Sequence, residues 1–242
     1  ELALAALEAN RPLAEWIAEH ATDEALAYDD IYAGKSEWRL LTPVDHPAEP
    51  ARCLVSGTGL THLGSAQDRS AMHEAKESEL TDSMKMFRWG LERGRPPAGQ
   101  VGVAPEWFYK GNGTVLRAHL EPLVVPPYGE DGGEEAEIAG VYIVAPDGRP
   151  CRVGMCLGNE FSDHKFEKNN YLNLAGSKIR TCAIGPELVV NPEFNSVPGR
   201  VVLLRGDAEL WSKDIRTGEA GMCHSLQNIE HHHFKFETHR RP

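Results

Sequence analysis

From about residue 100 onwards the chain breaks into short strand-like runs, and this pattern limits the fold more than any other feature. PEWFYKG, VLRAHLEPLVVPP, AEIAGVYIVAP, CRVGMCLGNEF, CAIGPELVV, GRVVLLRGDAELW and HHFKFE follow one another, separated by Gly, Pro and Asp-Gly turn signals. One helix is expected over 166–175 and another over 221–230. The sequence has no G-x-G-x-x-G, P-loop, G-x-S-x-G or internal repeat. The expectation is an α+β fold, mainly β, with a few helices, and not a doubly wound sheet.

The first hundred residues differ. Residues 1–20 have helical periodicity, with Leu2, Leu4, Leu7, Leu13 and Ile17 near one face, and Pro12 stands where a second helix can start. Acids run through this apolar segment and no basic region precedes it, so it reads as an amphipathic helix and not a signal peptide. Residues 26–52 read as small extended pieces, including WRLLTPV. They suggest a small N-terminal module over 1–52 and a main domain over 53–242. Both ends look cut, the C-terminus more so. Residues 66–94, with Met84, Met86, Phe87 and Trp89, read as a polar helical segment after a Gly-rich loop, either a mobile lid or a surface helix.

A net charge of −11 repels nucleic acid and anionic lipid as a general field. No stretch reaches the roughly 18 apolar residues of a spanning helix. The cysteines, Cys53, Cys151, Cys156, Cys182 and Cys223, are odd in number and scattered, as expected of reduced thiols in a cytoplasmic protein. His231–His233 are expected to alternate across a strand and lack partners for a zinc site.

The chemistry centres on carboxylates. Glu135 and Glu137 open an apolar strand, and side chains two apart on a strand share a face, with their Cα atoms about 7 Å apart. Two negative charges that close need a counter-charge, which a hard divalent cation such as Mg²⁺ supplies. The alternative is a polar strand start facing water. Glu160 follows a Gly-Asn pair at the end of the next strand, and a hairpin through Pro146-Asp147-Gly148 would bring it beside the first two. Three carboxylates leave about half an octahedron for water and substrate. Asp163 and His164 read either as an exposed loop or as groups supporting the ligands.

These motifs, in this order, resemble a known family. Pro105–Gly111 is similar to P-x-x-F-x-K-G, Glu135–Ala139 to E-x-E-φ-A, Gly158–Glu160 to G-N-[DE] and Cys182–Pro186 to C-x-I-G-P of the fumarylacetoacetate hydrolase superfamily. MCHSLQNIEHHHFKFE resembles that family's late helix. The likeness covers roughly residues 53–242 and is strongest to a bacterial branch found with sugar-acid catabolism. It implies a mixed β-roll core, often a homodimer, holding Mg²⁺, Mn²⁺ or Ca²⁺ through E-x-E and a later Asp. Here Glu160 stands in place of that Asp. The family's hydrolases carry a His six residues after a Gly, but counting from Gly59 gives Ser65, with His62 at a Tyr position.

GLTHLGS and CAIGP are closer to the 2-keto-3-deoxy sugar-acid dehydratases. The resemblance therefore implies a hydro-lyase. A 2-oxo acid chelates the cation, a base takes the C3 proton, and β-elimination expels the C4 hydroxyl. By the same resemblance Lys178 is the candidate base, desolvated and lowered in pKa. Lys110 is the candidate anion contact, and Arg180, Thr181, Thr61 and Ser65 are further substrate contacts. The competing expectations are an acylpyruvate hydrolase or oxaloacetate decarboxylase using His73, and a non-catalytic sugar-acid-binding relative.

Overall fold

A computed structural model of the chain describes residues 1–46, 48–66 and 80–241. The α+β expectation holds, with helix and strand present in similar shares. Two compact units emerge. One contains Glu1–Val55, Tyr109–Pro192 and Glu237–Pro242, and the other Ser56–Phe108 and Glu193–Phe236. No helix among the described residues is long and apolar enough to cross a membrane, and all five cysteines are unpaired.

The first unit opens with α1 (Leu2–Glu8) and α2 (Leu13–His20), and Pro12 stands at the N-cap of α2. Residues 26–52 contain the short helix α3 (Tyr28–Tyr32), and WRLLTPV forms no strand. The strand β1 (Leu54–Gly59) pairs with β2 (Glu106–Asn112). A four-stranded sheet follows, in the order β3 (Leu116–Arg117), β6 (Cys182–Ile184), β5 (Pro150–Asn159), β4 (Ala136–Val144). Strands β4 and β5 form the hairpin expected from their alternating patterns. At its turn Gly148 has φ +80°, a backbone state that favours glycine, and Arg149 N donates to Asp147 Oδ1 at 2.9 Å. The 115–127 run gives only the two-residue β3. Pro122, Pro126 and Pro127 lack the N–H groups a ladder needs.

The helix expected over 166–175 is broken in two. Asn170 has φ −163°, and its side chain accepts from Leu172 N. This separates α5 (His164–Asn169) from α6 (Leu174–Lys178).

In the second unit, α4 (Asp82–Arg93) is capped by Thr81, whose side chain accepts from Met84 N. The segment expected as a lid or a surface helix includes a regular helix over 82–93. Residues 67–79, and with them His73, lie outside the described residues. Strands β7 (Val197–Arg205) and β8 (Ala208–Thr217) form a hairpin. Helix α7 (Leu226–Phe234) takes in His231–His233, which were expected on a strand. The reason is a buried face with helical spacing. Asn228 and His232, four residues apart on this helix, are both buried.

Candidate metal centre and its comparison with known proteins

The site lies within the first unit, where the start of β4 meets the end of β5. Ala136 pairs with Asn159 in the β4–β5 ladder, and one step further Glu160 N donates to Glu135 O at 2.9 Å. The ladder therefore places Glu135 beside Glu160, and strand alternation puts Glu137 on the same face as Glu135. One carboxylate oxygen from each of Glu135, Glu137 and Glu160 lies within 4.8 Å of the others.

Lys178, at the last turn of α6, reaches into this cluster. Its Nζ stands 2.7 Å from Glu135 Oε1, 2.7 Å from Glu160 Oε1 and 4.0 Å from Glu167 Oε2, and its side chain is buried. His164 Nε2 lies 2.8 Å from Glu135 Oε1, so this nitrogen carries the proton and donates. Burial works against charge on Glu135, but the His164 hydrogen bond and the Lys178 ammonium outweigh it and hold the carboxyl well below its usual range. The other two acids go the opposite way. Burial and repulsion from Glu135 raise Glu160 to about 7, and burial with repulsion from Glu160 and Glu135 raises Glu137 to about 8. Glu137 is nonetheless open to solvent, so for this residue repulsion is the cause the geometry secures.

This donor set fits a divalent cation. Three hard oxygen donors converge, and Lys178, in contact with two of them, cannot neutralise three.

The surrounding residues are also fixed by hydrogen bonds. Lys178 was expected to have a lowered pKa. Burial does lower it, but Glu135 and Glu160 outweigh burial and raise it above the ordinary lysine range. Lys110 is fully buried, and Nζ donates to Phe161 O at 2.6 Å. Desolvation, partly offset by the charge of Glu160, brings it down to about 8. Arg180 is buried with both ends of its fork engaged, Nη1 donating to Asp131 O at 2.7 Å and Nη2 to Asp163 Oδ2 at 2.8 Å. Thr181 holds a buried hydroxyl with no hydrogen-bond partner among the described residues. Thr61 and Ser65 belong to the second unit, where Thr61 O accepts from Cys223 N.

Sequence reasoning missed Ser162, whose Oγ donates to Glu160 Oε1 at 3.4 Å, and Glu167. Neither carries a distinguishing motif. Asp163 is the N-cap of α5, and an Asp directly before a helix-forming segment was a readable signal for that role.

No family model and no curated protein matches the sequence. Solved structures do match. One is titled 2-keto-3-deoxy-D-arabinonate dehydratase complexed with magnesium and 2,5-dioxopentanoate. It is 18% identical with a TM-score of 0.64, over 90% of this chain and 69% of that one. Another, titled as the apo form of that dehydratase, is 19% identical with a TM-score of 0.61, over 87% of this chain and 65% of that one. The likeness shows that this chain shares the fold of these dehydratase structures. The chain spans just under two thirds of the apo dehydratase structure it matches. The acidic cluster is a group that could hold a metal ion.

Proposed function

We propose that this chain is a divalent-metal-dependent hydro-lyase that removes water from a 2-keto-3-deoxy sugar acid, with Mg²⁺, or Mn²⁺ or Ca²⁺ in its place, held by Glu135, Glu137 and Glu160. The observation that carries the reading is the convergence of these three carboxylates, with a buried lysine touching two of them. The dehydratase likeness and the absence of a histidine at Ser65 favour dehydration over carbon–carbon hydrolysis. A cation held by Glu135, Glu137 and Glu160 would supply Lewis-acid chemistry that makes the C3 proton of a 2-oxo acid more acidic.

The rest falls to the chain's own side chains. Lys178 is the proton carrier for C3. Its raised proton affinity comes from Glu135 and Glu160, so neutralising those carboxylates loosens the proton and frees the amine to act as a base. His164 orients Glu135 through its Nε2–H. The Thr181 hydroxyl, buried and without a partner among the described residues, is a ready donor for a substrate oxygen.

The test is a screen of 2-keto-3-deoxy pentonates and hexonates with Mg²⁺, alongside acylpyruvates. Loss of water from a sugar acid is the expected result. Release of pyruvate from an acylpyruvate, with no dehydration, would replace this reading by a hydrolase.

A further inference from the structure

The three chain segments that supply the site meet again a few residues away, at a buried ion pair. Asp163 lies three residues after Glu160, Arg180 two after Lys178, and Glu130 and Asp131 a few before Glu135. The Asp163 carboxylate accepts from Phe166 N at 3.0 Å, from Glu130 N at 2.9 Å and from Arg180 Nη2 at 2.8 Å. Asp163 N donates to Ser177 O, next to Lys178. Arg180 Nη1 completes the ring at Asp131 O.

The packing is close. A Cβ on Gly129 would come 2.9 Å from Arg180 Nη2, and one on Gly132 would come 2.7 Å from the Phe161 ring, over which the guanidinium sits 5.7 Å from the centroid. Phe161 has φ +28°, a backbone state rare for a non-glycine residue, and Lys110 holds its carbonyl.

We infer that the Asp163–Arg180 pair is a positioning device. It fastens the feet of the three segments so that Glu135, Glu160 and Lys178 converge, without itself touching metal or substrate. A buried ion pair adds little net stability over apolar residues of the same volume, so its value here lies in geometry. Groups that hold metal ligands in place typically change affinity by about 10- to 100-fold when removed.

The inference rests on the carboxylates being a metal site, and the experiment separates the two claims. Mn²⁺ binding to the full chain is measured by calorimetry, with the melting temperature recorded for every variant. Glu135→Gln tests the site itself. Asp163→Asn and Arg180→Lys weaken the pair. The double variant Asp163→Leu with Arg180→Met removes both charges at similar volume, and so keeps a folded protein in hand if a single change leaves a lone buried charge. Ile31→Ala, a cavity variant in α3, controls for general destabilisation.

The expected result is loss of Mn²⁺ binding in Glu135→Gln, about 10-fold or greater weakening in the folded pair variants, and parental affinity in Ile31→Ala. Mn²⁺ affinity within about twofold of the parent in the folded double variant would overturn the positioning role. So would equal weakening in Ile31→Ala, or failure of all pair variants to fold, which would make the pair a stability element. Undiminished binding in Glu135→Gln would overturn the metal site instead.

Discussion

Glu135 is the residue on which the site turns. It shares one oxygen between Lys178 and His164 and stands within reach of both other acids. Glu135→Gln keeps the volume but removes the charge, so Mg²⁺ binding should disappear from calorimetry while circular dichroism stays that of the parent. Unchanged Mg²⁺ affinity would remove the basis for a metal centre. Lys178→Met separates binding from chemistry. It deletes the proton carrier but none of the carboxylates, so the variant should still bind Mg²⁺ while turnover of the sugar acid falls about 10²- to 10⁴-fold. A variant with near-parental turnover would show that another group moves the proton.

At this scale the sequence was legible where geometry is local. The i, i+2 spacing of Glu135 and Glu137 is a property of any strand, and the Asp-Gly turn implied the partner strand that brings Glu160 across. Lys110 and Arg180 were legible only as cations. Which buried carbonyl or carboxylate each one meets is decided by distant segments, and no local pattern records it.

At the level of elements, helix α7 shows how side-chain hydrogen bonds decide an assignment that periodicity leaves open. HHFKFE alternates as a strand does, yet His232 lies on one helical face with Asn228, and that face holds the loop at Gly102–Val103. Asn228 Oδ1 accepts from Gly102 N and its Nδ2 donates to Val103 O, both at 2.8 Å. Asn228→Ala would leave two backbone groups without partners in a buried setting, which costs about 1–3 kcal/mol for each group left unmade. Denaturant unfolding should therefore show a loss of roughly 2–6 kcal/mol. A loss under about 0.5 kcal/mol, the range of an ordinary surface change, would mean that water replaces the amide. The β4–β5 hairpin was legible for the opposite reason, since its alternation, turn and register all point to one pairing.

For the molecule as a whole, acid should act on the two units through different groups and over different pH ranges. In the second unit, burial and the neighbouring His232 lower His224 to about 4. Its Nδ1 accepts from Asn228 Nδ2 at 3.1 Å, which requires that nitrogen to be unprotonated. Unfolding restores the ordinary value of 6.5, so below that pH the unfolded chain takes up the proton first. The stabilisation is complete above pH 6.5 and is lost as pH falls towards 4, by about 2 kcal/mol once partial solvent screening is allowed for. In the first unit, burial opposes the charge of Asp163, but the Glu130 and Phe166 amides and Arg180 prevail and hold it below 3.8. A carboxylate lowered in the folded state stabilises above its unfolded value and loses that contribution only as pH falls further. The His224 contribution to unfolding free energy should therefore decline between pH 6.5 and 4.5, against an opposite contribution from Glu160 and Glu137, which the fold raises to about 7 and about 8, with Asp163 contributing only below about pH 4. His224→Gln should flatten the first decline and leave the second. If the parent and the glutamine variant showed the same slope between pH 6.5 and 4.5, the buried histidine would not be the group that acid reaches first.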